Sequence, residues 1–118
     1  MATVNESSRP GLNPSQKVRL ADLVQNTPDS ILSRTIHKNS VGNITLFAFG
    51  KGQGLSPHSA PYDAFVTVME GEGEVVIEDK PYRLTAGEAI IMPANVPHAV
   101  NATSDFKMML VMIRGDKA

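Results

Sequence analysis

Two stretches decide how this chain is read: residues 54–75, GLSPHSAPYDAFVTVMEGEGEV, and residues 87–100, GEAIIMPANVPHAV. Each joins a glycine turn, a proline and a histidine to the edge of a β-rich apolar run. Together they hold His58 and His98, two of the three histidines in the chain. Outward from them the pattern is one of short strands. Residues 30–37 and 43–49 read as strands separated by a hairpin-like break at Asn39, Ser40 and Gly42. The second of these alternates Asn43, Thr45 and Phe47 against Ile44, Leu46 and Ala48. Gly50, Gly52, Gly54 and Pro57 read as a loop. Residues 64–70 and 74–80 flank Gly71-Glu72-Gly73, the strongest hairpin signal in the sequence. Residues 82–84 form a short strand, Thr85-Ala86-Gly87-Glu88 a second turn, and 89–92 an apolar strand before the loop from Pro93 to Pro97.

The last two strands are predicted over 98–103 and 106–113. The second is almost continuously apolar, and a strand without a solvent face is covered on both sides. Either the chain closes around it or a second copy covers it, and Met108, Met109 and Met112 suit core and interface alike. Helix is confined to little more than two turns around Val18, Leu20, Leu23 and Val24, ended by Asn26, Thr27 and Pro28. Residues 1–16 read as a flexible N-terminal arm in which Val4 or Leu12 could dock on a neighbouring surface. Residues 17–118 form one domain. Eight or nine short strands with Gly and Pro turns predict an all-β sandwich or small barrel, for which a jelly roll is the natural closure.

Composition narrows the function classes. At 118 residues the chain is one domain, long enough to bury roughly 65% of its unfolded surface. With 42% apolar and 19% charged residues it has the make-up of a folded protein. A net charge of −1, with eleven scattered Lys and Arg, lacks the basic stripe of a nucleic-acid binder. The absence of cysteine removes disulfides, thiolate metal sites and a cysteine nucleophile, and fits a reducing compartment. No apolar segment reads as a secretion signal or membrane span, so the expectation is a cytoplasmic protein with neither membrane nor nucleic-acid partners. Gly50-Lys51-Gly52-Gln53-Gly54 lacks the Lys-Ser/Thr and the helix of a phosphate loop. Glu70, Glu72 and Glu74 read as solvated turn residues, and no serine stands in a nucleophile elbow.

The two blocks resemble the paired motifs of the cupin superfamily in its small single-domain form, over about residues 44–113. The first family motif is a glycine, five residues, His-x-His, a glutamate three or four residues on, and a glycine after six more. Its first histidine falls on His58 and its closing glycine on Gly71. The second motif supplies Gly87, Pro93 and His98 at the expected spacing. The second histidine of the first motif is replaced by Ala60 and the glutamate by Ala64. In the second motif a glycine is replaced by Asn95 and the trailing asparagine by Ala102. The resemblance implies a double-stranded β-helix, a jelly-roll barrel with its site at the barrel mouth, in which His58 and His98 lie side by side. It also implies a homodimer, the usual habit of small cupins.

Three functions follow from different classes. In the first, a small organic molecule binds a mouth lined by His58, Ala60, Ala64, Val66 and His98, with the imidazoles as orienting groups. In the second, a metal-dependent oxygenase or isomerase holds one divalent transition metal, Fe, Mn, Ni or Zn, on His58 and His98. Asp63 becomes the third ligand only if the strand bulges there, because a one-residue step turns a side chain to the opposite face. Without metal, His58 and His98 could serve as acid and base, with Tyr62 or Asp63 as partner, as in some cupin epimerases. The third function is a structural dimer. Against all of these stands a plain alternative, in which each histidine only satisfies loop carbonyls beside its proline. His37 reads as an exposed strand-end residue. No catalytic residue is assigned, and the metal-free binder is placed first because two expected ligand positions hold alanine.

Overall fold

In the computed structural model, residues 4–6 and 11–115 are described, and their strands form two sheets. In chain order these are β1 Val4–Glu6, β2 Ile31–Asn39, β3 Gly42–Phe49, β4 Gly54–His58, β5 Tyr62–Glu70, β6 Glu72–Ile77, β7 Lys80–Thr85, β8 Ala89–Met92, β9 His98–Ala102 and β10 Phe106–Arg114. The larger sheet runs β1-β2-β3-β10-β5-β8 and the smaller β4-β9-β6-β7. Their facing sides enclose a core that takes Phe49, Val66, Met108 and Phe106 from one sheet and Val75, Leu84 and Val100 from the other. This is the expected all-β jelly-roll barrel. Of the N-terminal arm, residues 1–3 and 7–10 lie outside the described residues, while β1 pairs in parallel with β2 and the Leu12 amide donates to the Ile36 carbonyl.

The central strand is β10, antiparallel to β3 on one side and β5 on the other. Its alternate residues Phe106 and Met108 enter the core, with Leu110 and Met112 packed against it. Met109 points the other way, into a second cluster of Val24, Ile36, Leu46 and Ala48. That outer cluster is closed by the chain itself. Leu20 and Leu23, from the single 3-10 turn Leu20–Leu23, lie over it. The turn is shorter than the two turns expected from the sequence, and tertiary contacts fix it. Lys107 Nζ donates to the Ala21 carbonyl at 2.7 Å, and Arg34 Nη1 to the Leu23 carbonyl at 3.4 Å. Asn26, read as a helix stop, donates through Nδ2 to the carbonyls of both Phe49 and Phe106. It thereby clamps the paired ends of β3 and β10.

Three expectations about turns and loops are corrected. Gly71-Glu72-Gly73 does not join a hairpin, since β5 and β6 belong to different sheets and the chain crosses between them there. Gly71 has φ +77°, and a side chain on it would run into the Asp105 carbonyl. At Gly73 a Cβ would stand 2.6 Å from the Phe106 ring. Glycine is thus required for a corner, which leaves the same sequence mark as a hairpin. The true two-residue hairpin is Glu78-Asp79, both with positive φ, which joins β6 to β7 inside what read as one strand. Likewise residues 54–58, read as loop, form β4, because β9 supplies a partner that local sequence does not reveal.

Phe106 is 1% exposed and stacks on Phe49 with ring centroids 4.6 Å apart. Phe106→Ala is therefore expected to cost about 3–5 kcal/mol, read as a lowered urea midpoint at unchanged slope.

Candidate functional site

Proline sets the local geometry of both histidines. In Ser56-Pro57-His58 and Val96-Pro97-His98 the proline restricts the residue before it, and each histidine ring turns back on that residue's carbonyl. His58 Nδ1 lies 2.9 Å from the Ser56 oxygen and His98 Nδ1 3.1 Å from the Val96 oxygen. A carbonyl only accepts, so Nδ1 is the donor in both rings, and the tautomer this selects presents its lone pair at Nε2. The two loops then meet, because β4 and β9 are antiparallel with His58 directly opposite His98. Their rings stand edge to face with centroids 4.6 Å apart.

The pair is asymmetric. His58 is exposed, whereas His98 is 6% exposed and lines a narrow apolar cavity of about 50 Å³. Burial disfavours the imidazolium and pushes the His98 pKa below 6.5. The Val96 carbonyl opposes that shift and the nearby His58 adds to it. The cavity also takes in Ala60, Tyr62 and Ala64, with Met92, Met108 and Met112 as its softer wall. A wider outer mouth of about 390 Å³ shares Leu55, His58, Leu110 and Met112 with it. Its far side is polar, made by Ser33, Thr35, Lys38, Asn43 and Thr45.

Of the residues singled out from the sequence, His58, Ala60, Ala64 and His98 come together in the cavity. Val66 lies outside its lining, fully buried in the core. Asp63 is also apart. The β5–β10 register is unbroken from Tyr62 to Thr67, so no bulge turns Asp63 inward; its Oδ1 accepts from the Ala94 amide at 2.9 Å. Among the described residues no group of three or more His, Asp or Glu side chains gathers to hold a metal. Two imidazoles fall short of the three or four protein ligands of a divalent transition-metal centre, and the donor set does not fit one. At Ala64, where a carboxylate would be needed, the flanking residues across β8 and β10 are Met92 and Met112. Sequence reasoning missed Leu55, Leu110 and the polar wall on β2 and β3. Alternation in 43–49 had marked Asn43, Thr45 and Phe47 as one face without saying which way it looked.

Asn95, standing where the second motif has glycine, adopts φ +64° and donates its amide to the Ala60 carbonyl. Asparagine tolerates this left-handed conformation better than most residues. The substitution therefore keeps the loop beneath His98.

The family model for the cupin domain, Cupin_2, matches residues 45–114. Protein SchB of Streptomyces halstedii is 35% identical over 68 residues, which cover 57% of this chain and 49% of SchB. The chain thus spans about half the length of that curated relative. A conserved protein of unknown function from Streptococcus pyogenes superimposes with a TM-score of 0.84 at 35% identity, over 94% of this chain and 97% of that one. A cupin 2 conserved barrel domain protein from Leptotrichia buccalis does so with a TM-score of 0.78 at 39% identity, over 80% and 46%. A cupin superfamily protein from Desulfitobacterium hafniense, at 22% identity and a TM-score of 0.82 over 92% and 99%, shares the fold.

The lowered His98 pKa has a consequence for stability. Unfolded, His98 takes up a proton as pH falls below about 6.5, while the folded ring stays neutral until lower pH. The unfolded state then holds more protons, so the stability due to neutral His98 is present above that pH and lost as pH falls through the folded value. Urea unfolding of the wild type is expected to weaken more steeply on acidification than that of His98→Gln. Parallel curves would show that His98 contributes nothing.

Proposed function

Because the chain belongs to the cupin domain family, we propose that it is a small cupin that binds a small organic molecule in the barrel mouth through its paired histidines, without a protein-held metal centre. The observation that carries this reading is the matched pair of imidazoles. Both have Nδ1 committed to a backbone carbonyl and Nε2 left as an acceptor, at the junction of a wide mouth and an apolar floor. Such a site orients a ligand by a few polar groups against apolar walls. It also supports proton transfer, since an imidazole titrates near working pH. A metal-dependent oxygenase or isomerase would have to draw its remaining ligands from the substrate. The cysteine-free composition supports a reducing, cytoplasmic setting.

The test is a pair of measurements on protein made without a histidine tag. Thermal-shift screening of small metabolites is expected to find stabilisers whose effect is lost in His58→Ala. Elemental mass spectrometry is expected to give well under one equivalent of Fe, Mn, Ni or Zn per chain. Near-stoichiometric metal that disappears in His58→Ala would overturn this reading in favour of the metal enzyme.

A homodimer is part of the proposal. On the outer face of the larger sheet Ile91, Phe65 and Val111 stand side by side across β8, β5 and β10. Ile91 and Ile113 are 59% and 57% exposed, and Val41 is 56%. This is the part of β10 that the described residues leave uncovered, and a second copy would bury it about a two-fold axis. Light scattering is expected to give twice the 12.7 kDa chain mass at micromolar concentration, and Phe65→Lys with Ile91→Lys to halve it. A wild-type monomer would refute the dimer.

A further inference from the structure

A β-bulge decides which side chains reach the polar wall of the mouth. On β2, Ser33 and Thr35 face inward opposite Phe47 and Thr45. Simple alternation would bring His37 inside next and turn Lys38 out. The register instead steps from Thr35 opposite Thr45 to His37 opposite Ile44 and Lys38 opposite Asn43, with Ile36 as the extra residue. Ile36 is taken up by the outer cluster. His37 joins Ile44, Val41 and Ile113 around an outer groove. Lys38 is returned to the mouth beside Asn43. Bulges are concentrated beside binding sites because they re-aim a side chain in this way.

The hydrogen bonds of the wall leave donors over. The Thr45 hydroxyl donates to Asn43 Oδ1 at 3.1 Å, and the Thr35 and Thr45 oxygens are 3.0 Å apart, so Thr35 donates to Thr45. The relay ends on the Asn43 carbonyl oxygen. It leaves the Asn43 Nδ2 hydrogens and the Lys38 ammonium uncommitted. Among the described residues no carboxylate lies within ion-pair distance of Lys38, and none lines the mouth. Beside them on the same sheet face, Phe47 lies along β3, and Leu110 and Met112 stand directly across the β3–β10 ladder from Thr45 and Asn43. One cation and one amide donor bordering an apolar strip of the same sheet face are complementary to a single negative charge on an apolar body.

We propose that the ligand of this mouth is a small organic monocarboxylate. Its carboxylate is held by Lys38 Nζ and Asn43 Nδ2, and its apolar body lies on Phe47, Leu110 and Met112 towards His58. The inference rests on the reading of the barrel as a small-molecule binder and names its ligand class. A planar carboxylate accepts from two donors at once, and charge-assisted hydrogen bonds of this kind are about twice as strong as neutral ones. A lone lysine balances one charge, which favours a carboxylate over a phosphate dianion.

The experiment is a titration of 15N-labelled full-length protein followed by amide chemical shifts. The probes are isovalerate and benzoate, each beside its neutral amide, and inorganic phosphate. Both carboxylates are expected to move the amides of Thr35, Thr45 and Leu110 and to bind about tenfold more tightly than their amides. Lys38→Met, at an exposed position, is expected to abolish that difference. Lys51→Met, in the turn before β4, is expected to keep it. Equal binding of each acid and its amide in the mouth would overturn the anion proposal and leave the small-molecule reading standing. Failure of every probe to move a residue of the mouth would overturn both. Phosphate binding at Lys38 more tightly than either carboxylate would overturn the carboxylate assignment.

Discussion

Side-chain parity along the central strand governs the rest of this molecule. Successive residues of a strand face opposite sides, and β10 lies between β3 and β5, so its parity is imposed on both neighbours. The stack of Phe106 on Phe49 fixes that parity at one end, and the two carbonyls held by Asn26 keep the strand ends in step. Once Phe106 is inside, Met108, Leu110 and Met112 are inside as well. Ala64 then faces the barrel, and Asp63 must face away from it. A slip of one residue would reverse every one of these assignments.

The site is what remains where parity and proline meet. Two x-Pro-His segments on paired strands give two rings with the same internal hydrogen bond, and the pairing sets them face to edge. Because Nδ1 is occupied in both, the chemistry of the pair rests on two Nε2 lone pairs. The plain reading, that each histidine satisfies a carbonyl beside its proline, is thus true of Nδ1 and leaves Nε2 free for a ligand. Burial lowers the His98 pKa and so favours its neutral form. The position of a metal-ligating carboxylate is filled by Ala64, with a methionine on either side. The mouth therefore presents an acceptor at His58 and donors at Lys38 and Asn43, with His98 in the narrower cavity behind it.

Much of this was legible before the structure. Local chemistry marks strand ends, so the apolar run 89–92 coincides with β8, and 43–49 falls one residue short of β3. Four of the five pocket residues named from the sequence line the cavity, because the spacing from Gly71 and Gly87 locates the two histidine-bearing loops. The turns were less legible. A glycine with positive φ serves a corner between sheets as readily as a hairpin, and only the partner strand distinguishes them. Glu78-Asp79 gave no glycine signal at all, and β4 was hidden by its own proline.

The sequence by itself determined the strand-and-turn grammar, the all-β barrel and the segments that carry the two histidines, since these follow from residue types at short range. Tertiary structure alone decided which face each strand turns inward. It set Val66 behind the cavity rather than on its wall, left Asp63 outside, and used the bulge at Ile36 to bring Lys38 into the mouth. The reason is physical. Alternation defines two faces but does not label them, and the label comes only from register with strands far away in the chain.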